Sequence, residues 1–548
     1  RGSVAGVMRV SVWPLLVVVG LCVWGVAVVC GEELVVPTTY GPVADPVVEE
    51  GVLKYLGIPF AAPPVGSLRF TPPQPPTPWT QPRSTNENAP GCAALFTLFD
   101  YLTLGSEDCL YLNVFRPEKI PEGTKLPVMV WIHGGGFVSG STKRYDGSNL
   151  ARLHNVIFVA IPYRVGILGF IANEALLEEY GSTGSLGIQD QRFALQWVQE
   201  NIAAFGGDPD NVMAFGESAG GISLCAHLVS PASRGLFHSV AMESSLCDSK
   251  EMFRHLDKAI EFTSGYSSLV GCNTTDSKAQ LKCLRGLNLS DLLSGIWLVE
   301  RPPLSFIPKM YPVMPWAITI DGTEQGLQGV PLDMMLEGKA ADVPIIIGTN
   351  KNEGSIFMGM EPMIMKEPLP MTDRTLTLFG EHFFNHTDVE LVLSYYPASE
   401  YKTVDIRAAD ILGDAFFVCP TRRTVRALAA ANKSPVYDYY FNFDMKTLVS
   451  DLFGDYHSSE IAYVMDKMGW LHGHTAEDAQ MASIMSTFWA NLAKYGDPNE
   501  HSAINVTWPP FTGKDGLVYL MNLHPEAVRG LRQGLCDLWD DICKYGDC

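Results

Sequence analysis

Apolar, β-favouring runs of strand length recur along the chain: PVMVWI (127–132), VIFVAI (156–161), NVMAF (211–215), HSVAME (238–243), VPIIIG (343–348) and VYDYYF (436–441). Helical patterns lie between several of them. In DQRFALQWVQENIAAFG, residues 190–206, the side chains of Phe193, Leu195, Trp197, Val198 and Ile202 fall largely on one face, and Gly206 and Gly207 stop the helix. Strands alternating with helices predict an α/β fold: a mostly parallel central sheet with helices on both faces.

The NVMAF strand runs directly into GESAGGISLCAHLVS, which places Ser218 on a strand-to-helix turn. A serine between glycines is by itself a weak signal. On such a turn the glycines acquire a reason, because Gly216 and Gly220 have no side chain to strike the neighbouring strand or helix while the nucleophile's backbone is strained. Ser218 would then stand at a helix N-terminus, whose amide groups favour developing negative charge. A second strand, PVMVWI, opens into His133, Gly134, Gly135, Gly136 and Phe137. Consecutive glycines let backbone N–H groups approach a substrate carbonyl, as an oxyanion hole requires; the alternative is a tight turn with no chemistry.

Hydrophobic residues make up 47% of the 548 and charged residues 18%, so the chain is globular nearly throughout and can bury a large core. The net charge of −21, with no basic stripe to neutralise phosphates, argues against a nucleic-acid partner. The same field either draws cationic substrates toward a cleft or keeps an exported protein soluble. Residues 8–30, MRVSVWPLLVVVGLCVWGVAVVC, set one Arg ahead of a long apolar run and end near small residues, as a secretory signal does. The run is almost long enough to be an uncleaved anchor, and membrane contact is expected only in that case. Residues 1–30 are therefore read as upstream sequence (Arg1 to Val7) plus signal peptide or signal anchor.

The 12 cysteines agree with export. Two pairs are close in sequence, Cys92 with Cys109 and Cys272 with Cys283, and each could close a short loop. Cys225, Cys247, Cys419, Cys536, Cys543 and Cys548 have no partner assignable from spacing. Sequons at Asn273, Asn288, Asn385 and Asn505 are candidate glycan acceptors in a secreted, extracellular protein or in the secretory lumen. There is no CxxC, HExxH or phosphate-cradling loop, so neither metal nor cofactor is expected.

These motifs, together with YLGIPFAAPPVGSLRF (55–70), SEDCLYLNVFRP (106–117), YRVGILGF (163–170), GIQDQRFALQWVQENIAAFGGDPDNV (187–212) and WANLAKYGDPN (489–499), resemble the carboxylesterase/cholinesterase family of α/β-hydrolases. The resemblance implies one catalytic domain over residues 31–548, a Ser-Glu-His triad and hydrolysis of carboxylic esters through an acyl-enzyme. VPIIIGTNKNEGSIF fits the family's G-x-x-x-x-E-G, with Glu353 as the acid that orients the imidazole. DLFGDYHSSEIAYVM supplies His457, which would take the proton of Ser218 and return it to the leaving alcohol. Its HSSE departs modestly from the family's H-G-x-E or H-x-D-E and keeps Glu460. By the same resemblance Ala219 joins Gly135 and Gly136 in the oxyanion hole, and Ser244 matches a second serine near the site. Glu217 either tunes the imidazole or is a hydrogen-bonded structural carboxylate. Pro162 stands where the family usually has Asn, which affects the end of the VIFVAI strand and not the triad.

Substrate choice rests on residues around the pocket. The segment CAALFTLFDYLTLGSEDC, from Cys92 to Cys109, lacks the tryptophan that faces a choline ammonium in cholinesterases, and Phe96, Phe99 and Tyr101 are its possible replacements. A carboxylesterase with an apolar small-molecule ester is expected ahead of a cholinesterase or lipase, and ahead of a non-catalytic binding protein, which would be expected to have lost part of the triad. Trp316, in PWAITIDG, aligns with the region that bounds the acyl pocket; there it would favour short acyl chains, or else it is core packing. The oligomeric state is left open. Because His457 must be neutral to act as a base, rates on a p-nitrophenyl ester should fall as pH drops through about 6.5, where an ordinary imidazole takes up a proton. A flat profile between about pH 5 and 8 would count against a histidine base.

Overall fold

The structure, a computed structural model, describes residues 34–94, 105–295, 314–360, 370–469, 473–502, 504, 506–514 and 516–542. Its central sheet has eleven strands: β1 (Val47–Glu49), β2 (Val52–Pro59), β3 (Tyr111–Pro117), β4 (Leu126–Ile132), β5 (Ile157–Ile161), β6 (Gly207–Glu217), β7 (Ser239–Glu243), β8 (Ile345–Asn350), β9 (Val436–Phe441), β10 (Leu517–Met521) and β11 (Glu526–Arg529). Across the sheet the order is β11-β10-β9-β8-β7-β6-β4-β5-β3-β2-β1. All pairs from β5 through β4 to β10 are parallel, while β1, β2 and β3 at one edge and β11 at the other pair antiparallel. The six apolar runs of the sequence are β4 to β9.

The helices that position the site are α1 (Leu186–Asn201), α2 (Ala219–Val229), α3 (Asp373–Phe383), α4 (His386–Tyr395), α5 (Val404–Gly413), α6 (Cys419–Ala431), α7 (Ala476–Tyr495) and α8 (Gln533–Ile542). The expected 190–206 helix is α1 followed by a 3-10 turn to Phe205, and it stops where Gly206 adopts φ 86°. A left-handed residue ends a helix at little cost only when it is glycine.

Both faces of the sheet are buried, which is why its strands are continuously apolar. Val128, Val130 and Ile132 of β4 share one core with α1 and α2, whereas Met129 and Trp131 point into the opposite core, against Met485, Phe488 and Trp489 of α7. Each such Val, Ile or Met stabilises by about 1.5–3 kcal/mol when fully buried. A third cluster lies among α3 to α6 and α8 and includes Phe379, Phe383, Leu412 and Trp539.

Among the described residues there are four disulfides: Cys92–Cys109, Cys272–Cys283, Cys225–Cys247 and Cys419–Cys536. The first two are the pairs proposed from sequence. The third joins α2 to the loop after β7, and the fourth ties α6 to α8. Cys543 and Cys548, the N-terminal segment 1–30, Phe96, Phe99, Tyr101 and Asn505 lie outside the described residues. Among the described residues no helix is long and apolar enough to cross a membrane, and no group of acidic, His or Cys side chains could hold a metal ion.

The Cys419–Cys536 bridge closes a loop of 117 residues. Replacing both cysteines by alanine should lower the unfolding free energy by about 2–5 kcal/mol, read as a drop in denaturant midpoint without reductant. An unchanged midpoint would show that the packing of Trp539 and the salt bridges of Arg422 and Arg423 hold α8 unaided.

Candidate active site

Ser218 follows the last residue of β6 and precedes α2, with φ 54° and ψ −122°. A non-glycine residue holds such a conformation only where its surroundings impose it. Here the imposing contact is visible. A Cβ on Gly220 would lie 2.0 Å from the carbonyl oxygen of Ile132, and one on Gly216 would lie 2.5 Å from the same oxygen. The helix therefore starts directly against the end of β4, and the turn closes with Ser218 N–H donating to the Glu243 carbonyl at 2.9 Å.

The loop after β4 faces this turn. Gly135 (φ 109°) and Gly136 (φ 60°) are in the left-handed region, and a Cβ on Gly135 would meet the Ser139 carbonyl oxygen at 2.3 Å. Among the described residues nothing accepts from the N–H groups of Gly135 and Gly136. The Ala219 N–H, at the first position of α2, has no partner within the helix. His133 is buried and stacks on Tyr163 at 4.3 Å; its Nδ1 lies 2.8 Å from the Gly134 carbonyl oxygen, and burial pulls its pKa down to about 4. It is a neutral support of the loop.

The acid and the imidazole come from the neighbouring strands. His457, in the loop beyond β9, donates from Nδ1 to Glu353 Oε2 at 2.6 Å. Glu353, just after β8, also accepts from Ser244 Oγ at 2.6 Å and from Asn350 N–H at 2.7 Å. Three donors on one buried carboxylate make an acceptor-only arrangement suited to an ionised acid. Phe357 and Phe417 hold the imidazole from the side, with ring centroids 5.1 and 4.7 Å away. Nε2 lies 3.0 Å from Glu217 Oε1, yet the pair is not in hydrogen-bonding orientation and Oε1 has no hydrogen-bond partner. Ser218 Oγ makes no hydrogen bond among the described residues. Nucleophile–base contacts are often loose in unliganded sites and tighten on substrate binding.

Glu217, Glu353 and Glu460 are buried near the imidazole, and Glu243 is buried beside Glu217 and Glu460. Burial, then the charge of Glu353, pushes Glu217 well up; burial, then Glu460, does the same to Glu243 against a hydrogen bond from Trp489. Glu460, which accepts from Asn350 Nδ2, is pushed up to about 8 by burial and then by Glu217 and Glu353.

Ser218 opens onto a cavity walled by Gly136, Met314, Phe357, Phe379, Phe383 and Phe417 among others. Ser249 and Glu251 are the hydrophilic side chains besides Ser218 on its described walls. Trp316 is not on those walls. It is buried against Phe262 and Tyr266, with ring centroids 5.0 and 5.2 Å away, so it packs the core. The phenylalanines of α3 and of the segment before α6 were not singled out from sequence, because nothing in their spacing separates a cavity wall from a core.

Sheet order and the strained serine turn define the class: an α/β-hydrolase of the serine-esterase kind. Residues 32–539 match the model of the Carboxylesterase family, and the chain belongs to that family. It is 35% identical over 549 residues to carboxylesterase 1C of Mus musculus, covering 92% of this chain and 94% of that protein. It is 32% identical over 514 residues to acylcarnitine hydrolase of Mus musculus, covering 89% and 86%. A solved structure of PNB esterase superposes with a TM-score of 0.77 at 31% identity, covering 92% of this chain and 99% of the other. The chain is a carboxylic ester hydrolase.

The raised acids make stability depend on pH in a definite sense. An acid whose folded pKa lies above its unfolded value binds its proton more tightly when folded, so its contribution is lost as pH rises from about 4.5, the ordinary Glu range, toward the folded value. For Glu460 that window ends near 8. Glu460→Gln should therefore lose less melting temperature than the parent between about pH 5 and 8. Parallel curves for the two proteins would show that Glu460 does not titrate there.

Proposed function

We propose that Ser218, His457 and Glu353 are the nucleophile, the base and the orienting acid of the ester hydrolysis. The observation that carries this reading is the Glu353–His457 hydrogen bond at 2.6 Å beside a serine held at φ 54° on the cavity wall. The imidazole turns Nε2 from Glu217 toward Ser218 Oγ, takes its proton, and Oγ bonds to the ester carbonyl carbon. The carbonyl oxygen becomes an anion that accepts from the N–H groups of Gly135, Gly136 and Ala219; losing one such donor typically costs about 3–4 kcal/mol of transition-state stabilisation. Collapse expels the alcohol, which leaves with the proton from Nε2. Water, deprotonated by the same nitrogen, then releases the acid and restores Ser218.

An aromatic cavity favours an uncharged ester with an apolar acyl group, and with Trp316 in the core the described walls set no short-chain limit. The relative named carboxylesterase 1C fits that class, and the one named acylcarnitine hydrolase shares only the acyl part of it. Four disulfides suit an oxidising compartment, and we place the protein in the secretory route, with Asn273, Asn288 and Asn385 as glycan acceptors. All three are exposed. Asn288 and Asn385 cap helices through Oδ1, while Nδ2, the atom to be modified, donates to Asp291 and Asp388 respectively.

A ladder of p-nitrophenyl esters from acetate to palmitate, run beside acetylthiocholine, tests both parts. Hydrolysis of simple esters, including long-chain ones, is expected, and Ser218→Ala should lower kcat by at least about 10⁴-fold. Activity surviving that substitution would sink the assignment of Ser218, and preference for thiocholine would sink the substrate class.

A further inference from the structure

Hydrogen-bond donors are unevenly shared among the four buried glutamates of the site. Glu353 receives three, including the Ser244 hydroxyl, and Glu460 one, from Asn350 Nδ2, with Ser244 Oγ a further 3.4 Å away. Glu217 faces His457 Nε2. Glu243 receives one, from Trp489 Nε1 to Oε1 at 2.7 Å, while its Oε2 is sealed from solvent without a partner. A bare carboxylate oxygen in that position would be a buried, unpaired charge, one of the costliest groups a protein can hold. A protonated acid removes the charge and turns one oxygen into a donor.

The neighbours of Glu243 offer no compensating cation. On β6, Glu217 is its register partner, and on β8 Gly348 is opposite. Glu460 is close enough for its charge to act on Glu243, Tyr145 and Tyr439 are the nearby phenols, and Trp489 comes from α7. The Tyr439 hydroxyl, on a ring 5.4 Å from Trp489, is likewise buried without a partner. Glu243 is nevertheless tied to the machinery through its backbone. Its carbonyl holds the Ser218 N–H at 2.9 Å, and the next residue, Ser244, donates to Glu353.

We propose that Glu243 is a positioning residue that works as the neutral carboxylic acid, keeping an unpaired charge away from the peptide that anchors both Ser218 and Glu353. The inference rests on the assignment of Ser218, His457 and Glu353. While the proton is on, the serine turn and the Ser244 bond stay in register; when it is lost, the new anion repels Glu217 and Glu460 and pulls at the peptide between the two anchors. Burial and the charges of Glu460 and Glu217, which push Glu243 upward, agree with this.

The test compares the parent enzyme with Glu243→Gln, which is neutral and still accepts from Trp489. The parent kcat should fall on the alkaline side, by up to about tenfold per pH unit beyond the midpoint, and the variant should lack that limb while its acid limb keeps the same midpoint. Infrared spectra at neutral pH should show a protonated-carboxyl band in the parent that is missing from the variant. Superimposed alkaline limbs, no difference in the band, or an acid limb moved down in the variant would overturn the proposal, the last because an anion would then have been removed from beside His457. If Glu243→Gln does not fold, Trp489→Phe removes the remaining donor, and it should move the alkaline limb to higher pH; a limb that stays in place overturns the proposal. The infrared comparison needs no turnover. Loss of the triad assignment through an active Ser218→Ala is therefore distinguishable from a charged Glu243.

Discussion

The contact on which the site depends is the approach of α2 to the end of β4, where the Cα of Gly220 sits against the Ile132 carbonyl with no room for a Cβ. That approach forces the chain to leave β6 through the strained conformation of Ser218, and it brings the first amide of α2 opposite the glycine loop that continues β4. The proposed nucleophile and oxyanion donors are thus placed by two adjacent parallel strands and one helix. Their geometry is fixed by backbone packing, which tolerates less drift than side-chain contacts do.

A second constraint is electrostatic. Four glutamates and one histidine share a volume that excludes water, and at most some of the carboxyl groups can be ionised there. Hydrogen-bond supply decides which. Glu353 gathers the donors of Ser244, Asn350 and His457, whereas Glu217 and Glu243 each have an oxygen with none. Concentrating donors on the acid that touches Nδ1 leaves its charge where an imidazolium can use it, and disfavours charge elsewhere.

Much of this was legible in the sequence because it is written in short segments. The strands β4 to β9 are continuous apolar runs, and GESAG and HGGGF carry their structural requirement in their own glycines. Glu353 and His457 needed the family resemblance, since a lone acid or histidine in a loop has no local mark; the structure then brings them together. The outer antiparallel strands β1 and β11 are short and half exposed, so their sequences carry little periodicity. The Cys225–Cys247 and Cys419–Cys536 pairs depend on which elements pack together, and a separation of 117 residues says nothing about that. For Trp316 the sequence left two readings open, acyl-pocket wall or core packing, because position along the chain does not say which way a ring turns; the ring packs against Phe262 and Tyr266.

Chemistry and selectivity occupy different layers of the molecule. The groups proposed to react stand beyond the ends of β6, β8 and β9 and on the loop after β4, whereas much of the cavity wall comes from α3 and the segment before α6, which belong largely to a separate hydrophobic cluster. Phe379 and Phe383, one turn apart on α3, can change size or tilt without touching the hydrogen bonds of His457. Phe357 and Phe417 cannot, because they line the cavity and also flank the imidazole. Substitutions on α3 should therefore alter which acyl group fits, while substitutions at the two flanking rings should alter acyl preference and the rate of proton transfer together.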